Sequence, residues 1–472
     1  MSDAPAPLSL TDIDRCFGGA IPAVMATASA DGVTNVTYIS RAHPVDAERV
    51  ALSNQFMSKT SRNLASNPRA SLLLMDPITH DEYRLTLLYE RTERRGPVFE
   101  RLRSDVDALA ALENMQDVFR LRAADVFRVL DIEAKVPHPS GELPSDLPPR
   151  RESSTQLAGL AELARCVGRT GDLDTLVEVT LEGLDRLLGY RHTLLLLLDE
   201  EGKRLYTIGS RGFDTAAIGA EVPLGQGQIG LAAERCETMR IGSVHQMRKY
   251  ARSIRFGYEQ SGVGPGHEVP VAGMHGVHSR IVVPALARGE LIGVLVAESR
   301  RPVAFGVSDE HVLGVAASLL ASAVEHVRAI ERDVSADATG DELLPASSSA
   351  PLAVPTAVRM VAVDDTLTVR FFDVDGSVFV DDDYLIKGVA GRILWSLLRQ
   401  HLAAGRIDFT NRELRLDPTL DLPGFKDNLE SRLILLKRRL DERELPIRIE
   451  KTGRGRFRLM VSARLVLQPT DG

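Results

Sequence analysis

The stretch FMSKTSRNLASNPRA, Phe56–Ala70, lies between two apolar runs, RVALSNQF before it and RASLLLMD after it. Ser58, Lys59, Thr60 and Arg62 gather at its start, and Asn67-Pro68 closes it. The spacing predicts a short helix inserted between strands, begun by Ser58 or Thr60. Two readings follow. Either the hydroxyls only cap the helix while Lys59 is solvated, or the helix start is a pocket for an anionic group such as a phosphate. A helix N-terminus supplies unpaired N–H groups and partial positive charge, so cationic and hydroxyl side chains beside it suit a dianion.

Working outward, AVMATAS and TNVTYISRA flank Asp31-Gly32, a hairpin signal. EYRLTLLYERTER reads as a further strand, PVFERLRSDVDALAALE as a helix and DVFRVLDIEAK as a last strand. Six or seven strands with two short helices predict a small barrel over residues 1–136. IPAVMATASADGVTNVTYIS, VALSNQFMSKTSRNLASNPRASLLLMD and ADVFRVLDIE resemble the flavin-binding split barrels of the pyridoxamine-phosphate-oxidase-like group. That resemblance implies a homodimer with FMN at the subunit interface. It would put the phosphate on Ser58, Lys59, Thr60 and Arg62, and the ring against the strand Asn35, Val36, Thr37 and Tyr38. It leaves the catalytic residues unknown, and His43 and His80 read as loop residues.

The whole chain has 472 residues, too many for one hydrophobic core, and a net charge of −8 that argues against a generic nucleic-acid binder while leaving room for a basic module. Apolar and charged shares of 44% and 26% are those of a soluble globular protein. No apolar run reads as a membrane span, and the N-terminus lacks a basic segment followed by a hydrophobic one. Cys16, Cys166 and Cys236 are scattered, which disfavours a disulfide scaffold or a CxxC metal site and fits a reducing cytoplasm; no metal site is expected. Pro- and charge-rich residues 137–153 and Ala/Ser/Pro-rich residues 333–363 read as linkers. Three modules remain: 1–136, 154–332 and 364–472. The fold class is multidomain α+β.

In the second module, two helical patterns precede the strands RHTLLLLLD, RLYTIGSRG, SRIVVPALARG and ELIGVLVAES, and a long helix begun at Ser308 closes it. PLGQGQIGLAAERCETMRI, IVVPALARGELIGVLVAES and FGVSDEHVLGVAASLLASAVE are similar to GAF domains, implying an α/β sensor with a small-molecule pocket. Val312, Val315, Leu319, Ala323, Val327 and Ile330 recur at three- and four-residue steps, a stripe that serves as core or as part of a helix seam. His245, His267, His275 and His278 read as polar loop residues, and Cys236 as a buried structural cysteine.

The third module reads as a hairpin, a helix, a strand, a helix begun at Thr410, a third helix in KDNLESRLILLKRRLDER and a final strand–turn–strand. NLESRLILLKRRLDE followed by IRIEKTGRGRFRL resembles the winged-helix effector domains of bacterial response regulators. Leu429, Leu433, Leu436 and Leu440 form one stripe of the third helix, with Asn428, Ser431, Arg432, Arg438 and Arg439 opposite and Leu435 interrupting them. A recognition helix needs an apolar back and a face of Arg and Asn. Between Arg432 and Arg458 ten basic residues face four acidic ones, and Lys451, Arg454 and Arg456 lie at the hairpin tip. The expectation is DNA contact through these residues; a basic face used on a protein partner is the alternative.

Together the modules predict a cytoplasmic sensor-regulator that couples flavin or small-molecule binding to DNA. The alternative is a flavin-dependent oxidoreductase regulated by its GAF domain.

Overall fold

A computed structural model of the chain describes residues 8–55, 58–112, 119–136, 151–199, 201–213, 218–259, 276–337, 366–420, 429–453 and 455–470. Strands β1 (Ala23–Ala28), β2 (Thr34–Ile39), β3 (Ala42–Pro44) and β4 (Arg49–Asn54) are followed by α1 (Ser58–Ser66), β5 (Arg69–Met75), β6 (Glu82–Glu93), α2 (Pro97–Ala111) and β7 (Ala123–Val136). They curl into a barrel-like sheet of order β2-β1-β5-β6-β7-β4-β3. Gly32, at φ 86°, turns β1 antiparallel onto β2, as Asp31-Gly32 predicted. Met25, Leu52, Leu72, Leu85 and Phe127 point into one core.

Next come α3 (Ser153–Val167), α4 (Leu173–Arg186), β8 (His192–Leu198), β9 (Arg204–Arg211), β10 (Glu221–Pro223), α5 (Gly227–Arg235), β11 (Met239–Ile241), α6 (Val244–Glu259), β12 (Ser279–Ala287), β13 (Glu290–Ser299) and α7 (Val307–Asp337). The sheet order is β10-β9-β8-β13-β12-β11. Ile281 and Val283 face α3, α4 and α7, whereas Val282 faces the opposite layer. Arg280 and Glu298, opposite each other on β12 and β13, form a fully buried ion pair with Nε to Oε1 at 2.6 Å.

α7 departs from three expectations. Val307–Ile330 within it is long and apolar enough, by length and composition, to cross a membrane. Its apolarity serves the domain core, because Leu313, Ala317, Leu320 and Val324 pack on the sheet and on α3 and α4. Ser308 lies inside the helix and bonds Gln156 Oε1 at 2.8 Å; Asp309 instead accepts the Gly306 N–H at 2.7 Å. The helix also runs through Asp337, past the expected boundary at 332, and the rest of the expected linker is outside the described residues. Val312 and Val327 are core, while Val315 is exposed.

The C-terminal part holds β14 (Thr366–Phe372), β15 (Ser377–Val380), β16 (Asp383–Ile386), α8 (Gly388–Ala404), β17 (Asp408–Thr410), α9 (Asn411–Leu416), α10 (Leu429–Glu442), β18 (Ile447–Gly453), β19 (Arg456–Val461) and β20 (Arg464–Thr470). One sheet has order β16-β15-β14-β20, with β14 parallel to β20; the other has order β17-β19-β18. Thr410 and Glu413 form a reciprocal capping box on α9.

The parts share hydrophobic clusters. Leu102 of α2 packs on the barrel strands, while Val106–Leu112 packs with α5, β11 and α6 in the layer behind the second sheet. The core on the other face of that sheet continues into α8 and α10.

Candidate functional site

Along β2 the side chains alternate. Asn35 and Thr37 are half-buried, while Val36 and Tyr38 stand 66% and 69% exposed. α1 lies across this end of the sheet, and Asn35 Nδ2 donates to Thr60 Oγ1 at 3.0 Å. Thr60 is buried, as is Asn63 one turn on, whose amide donates to Thr27 Oγ1 at 3.2 Å. Ser58, Lys59 and Arg62 remain on the exposed side of α1; Lys59 Nζ reaches the Thr34 carbonyl at 3.4 Å and Arg62 Nε the Ser58 carbonyl at 3.4 Å. The structure thus brings together the two segments singled out in the sequence, β2 and the start of α1. A hydroxyl and two cations exposed at one helix start fit a phosphate. Asn63 went unnoticed because an amide in mid-helix has no periodic signature of its own.

Beside the shared hydrophobic cluster, ionic contacts join the barrel to the second domain. Arg101 of α2 forms a fork with Glu310 of α7, at 2.6 and 2.8 Å. Arg240 Nε donates to the same carboxylate at 2.7 Å and its Nη1 to the Phe305 carbonyl at 2.7 Å. Arg103 pairs with Glu237 and, at 3.2 Å, with Asp107. Burial pushes the Glu310 carboxyl up, but Arg101 and Arg240 outweigh it and hold the group below the usual range. His43, half-buried here rather than on a free loop, is depressed by burial.

Of the other residues singled out in this domain, His245 and His278 are exposed, and His267 and His275 lie outside the described residues. Cys236 is exposed, not buried; it takes the left-handed C-cap of α5 at φ 54°. Cys16 is the buried thiol, pushed up to about 12 mainly by burial.

In α10 the leucine stripe is buried as expected, but the opposite face is not open. It packs on α4 and β9 of the second domain. Arg438 donates from Nε and Nη2 to Asp174 Oδ1, at 3.0 and 2.7 Å, and from Nη1 to the Ile208 carbonyl at 3.0 Å. Lys437 Nζ takes the other oxygen of Asp174 at 2.8 Å. The Arg432 guanidinium lies 4.5 Å from the centre of the Tyr206 ring. Burial pushes Asp174 up, yet its bonds from Lys437 and Arg438 hold it below the usual carboxylate range. Leu435, which breaks the polar face, reaches Gly219 on this side and is buried.

The remaining residues of the expected DNA face divide. Ser431 is buried, and Arg439 bonds the Leu385 carbonyl at 2.9 Å and Glu442 at 2.8 Å. Lys451 contacts Glu430 at 3.2 Å and Asp172 at 3.7 Å, Arg456 is exposed, and Asn428 and Arg454 lie outside the described residues. The expectation of an open Arg/Asn face is therefore corrected for this conformation. The same cations that suit phosphate also suit a carboxylate, and Asp174 occupies them. Asp174 itself reads in the sequence as an ordinary first-turn acid of α4, with no signal of a partner more than two hundred residues away.

Residues 172–324 match the family profile of the GAF domain, and residues 12–130 that of pyridoxamine 5'-phosphate oxidase. None of the curated proteins matches the chain. Among solved structures, the GAF domain of a phosphoenolpyruvate-protein phosphotransferase from Coxiella burnetii is 20% identical, covering 38% of this chain and 98% of that one, with a TM-score of 0.31. Free methionine-R-sulfoxide reductase from Neisseria meningitidis is 22% identical over 38% of this chain and 95% of that one, with a TM-score of 0.31. An FMN-binding protein from Syntrophomonas wolfei is 17% identical over 27% of this chain and 92% of that one, with a TM-score of 0.22. The chain therefore carries a pyridoxamine 5'-phosphate oxidase-like domain followed by a GAF domain.

Proposed function

We propose that this protein is a sensor-regulator: the first domain binds FMN or a related flavin, the GAF domain binds a small molecule, and the C-terminal domain, read as a winged helix, binds DNA. The flavin phosphate would be held by Ser58, Lys59 and Arg62, with Thr60, expected beside them, buried instead and fixing Asn35, and the ring by Asn35, Val36, Thr37 and Tyr38. Bound there, a flavin supplies reversible redox chemistry. Val36 and Tyr38, exposed on the edge strand, and Val33, exposed just before it, support a homodimer through this edge, since an uncovered apolar sheet edge invites pairing.

The observation that carries the reading is the grip of Asp174 on Lys437 and Arg438, because it connects the sensor domain physically to the helix read as the output. A ligand that binds one arrangement of the GAF domain better would shift the balance between held and released α10. The test is a gel shift of the full chain with fragments of its own upstream region. Asp174→Ala is expected to tighten DNA binding by about tenfold, roughly the worth of one partly buried charged contact. Failure of both wild type and Asp174→Ala to bind at low salt would overturn the reading. Turnover of a reduced nicotinamide by the purified protein would favour a flavin-dependent oxidoreductase instead.

A further inference from the structure

At the seam between barrel and GAF domain, Arg41 Nη2 and Gln55 Nε2 are buried without an acceptor among the described residues, as is Arg101 Nε of a guanidinium already held by Glu310. Arg41 lies between β2 and β3 and is 3% exposed. Among the described residues its side chain makes one long bond, Nε to the Asp105 carbonyl at 3.4 Å. The guanidinium runs against the backbone of Gly19, where any Cβ would overlap it, so the chain leaves room for this side chain. The seam's carboxylates are committed elsewhere. Glu310 serves Arg101 and Arg240, and Asp105 lies 3.5 Å from Arg101. At this end of the seam three guanidinium groups thus face two carboxylates, Arg103 and Arg235 being paired with Glu237 and Asp107, and burial disfavours a charge on His43, which leaves one positive charge over.

Gln55 completes the cluster. Its Oε1 accepts from Ser40 Oγ at 2.7 Å, so Ser40 in turn accepts from the Tyr250 hydroxyl, 3.1 Å away on α6 of the GAF domain. The chain Tyr250–Ser40–Gln55 consumes its own acceptors and ends in a free N–H. Ser40 precedes Arg41 in the chain, and Ser53 Oγ, two residues before Gln55, accepts the Arg41 N–H at 3.1 Å, so the two orphan donors hang from neighbouring paired segments of the seam. A buried guanidinium without an anion and a buried amide without an acceptor are each costly, and one singly charged acceptor would relieve both.

We infer that the barrel–GAF seam is a binding site for a singly charged oxyanion, a small carboxylate or monobasic phosphate, received by Arg41 and Gln55 and walled by Tyr250. Occupancy would tie the two domains together. The inference is independent of the flavin and DNA readings, since it uses none of their residues.

The experiment uses the full chain at fixed ionic strength, titrated with sodium acetate or sodium phosphate, with sodium chloride as control, by calorimetry and by thermal unfolding. Wild type is expected to show saturable binding and a rise in Tm with acetate or phosphate, and the better probe indicates which source fits. Arg41→Met should weaken binding at least about tenfold, and without added oxyanion it should unfold no lower than wild type, because it removes an uncompensated charge. Gln55→Glu supplies a carboxylate of its own, so it should gain stability without added anion and lose the anion-dependent rise; it decides the matter if Arg41→Met does not fold. No saturable binding of either probe to wild type, or binding to Gln55→Glu as tight as to wild type, overturns the proposal.

Discussion

At the scale of single residues, side chains with the same sequence signature divide by what surrounds them. Lys59 and Thr60 are neighbours at one helix start, yet Thr60 is buried against Asn35 and Lys59 faces solvent. If Lys59 holds a phosphate, Lys59→Ala should weaken FMN binding about tenfold, measured by quenching of flavin fluorescence; equal affinity would return Lys59 to a solvated charge. His43 carries a pH dependence. Burial depresses its imidazole, Asp105 and Glu310 pull it back up, and Arg101 and Arg240 push it further down. The unfolded chain therefore takes up the proton first as pH falls below about 6.5. This part of the stability is complete above that pH and is lost as pH falls towards the depressed folded value. His43→Asn should show a smaller drop in Tm than wild type between about pH 7.5 and about pH 5.5, measured by differential scanning calorimetry; equal drops would assign the dependence to other groups.

At the scale of elements, helix patterns told truly that a face is buried and said nothing of its partner. α2 was legible as a helix, and it forms from Pro97 to Ala111. Its C-terminal half, though, fills the layer behind the GAF sheet, so one helix belongs to two domains. Leu109 is fully buried there. Leu109→Ala should cost about 2–5 kcal/mol of unfolding free energy in chemical denaturation. Because the loss falls on a shared helix, the barrel and GAF signals should decline together; a change confined to one domain would contradict the sharing. α10 makes the same point. Its leucine stripe was readable from spacing, whereas the burial of Ser431 and Leu435 on the opposite side needed a second surface.

At the scale of the whole molecule, charge is distributed so that basic elements meet acidic ones across domain boundaries. Arg101 and Arg240 meet Glu310, and Lys437 and Arg438 meet Asp174. The outcome expected for Asp174→Ala belongs at this scale, since the residue touches no part of the proposed DNA surface except to cover it. Half-buried pairs of this kind resist salt better than exposed ones, so salt alone should release α10 less completely than the substitution does.

The amino-acid sequence by itself determined the elements and their grouping. Alternation marked the strands, Asp-Gly the β1–β2 hairpin, Thr410 the cap of α9, and motif resemblance the two N-terminal domains. These signals are local, carried by residues a few positions apart. Only the tertiary structure decided that α2 is shared, that Asp174 holds the basic face of α10, and that Arg41 and Gln55 are buried at a seam. The physical reason is that hydrophobic periodicity specifies burial without naming a partner, and charge specifies a need for the opposite sign without saying where it will be met. Long-range packing answers both.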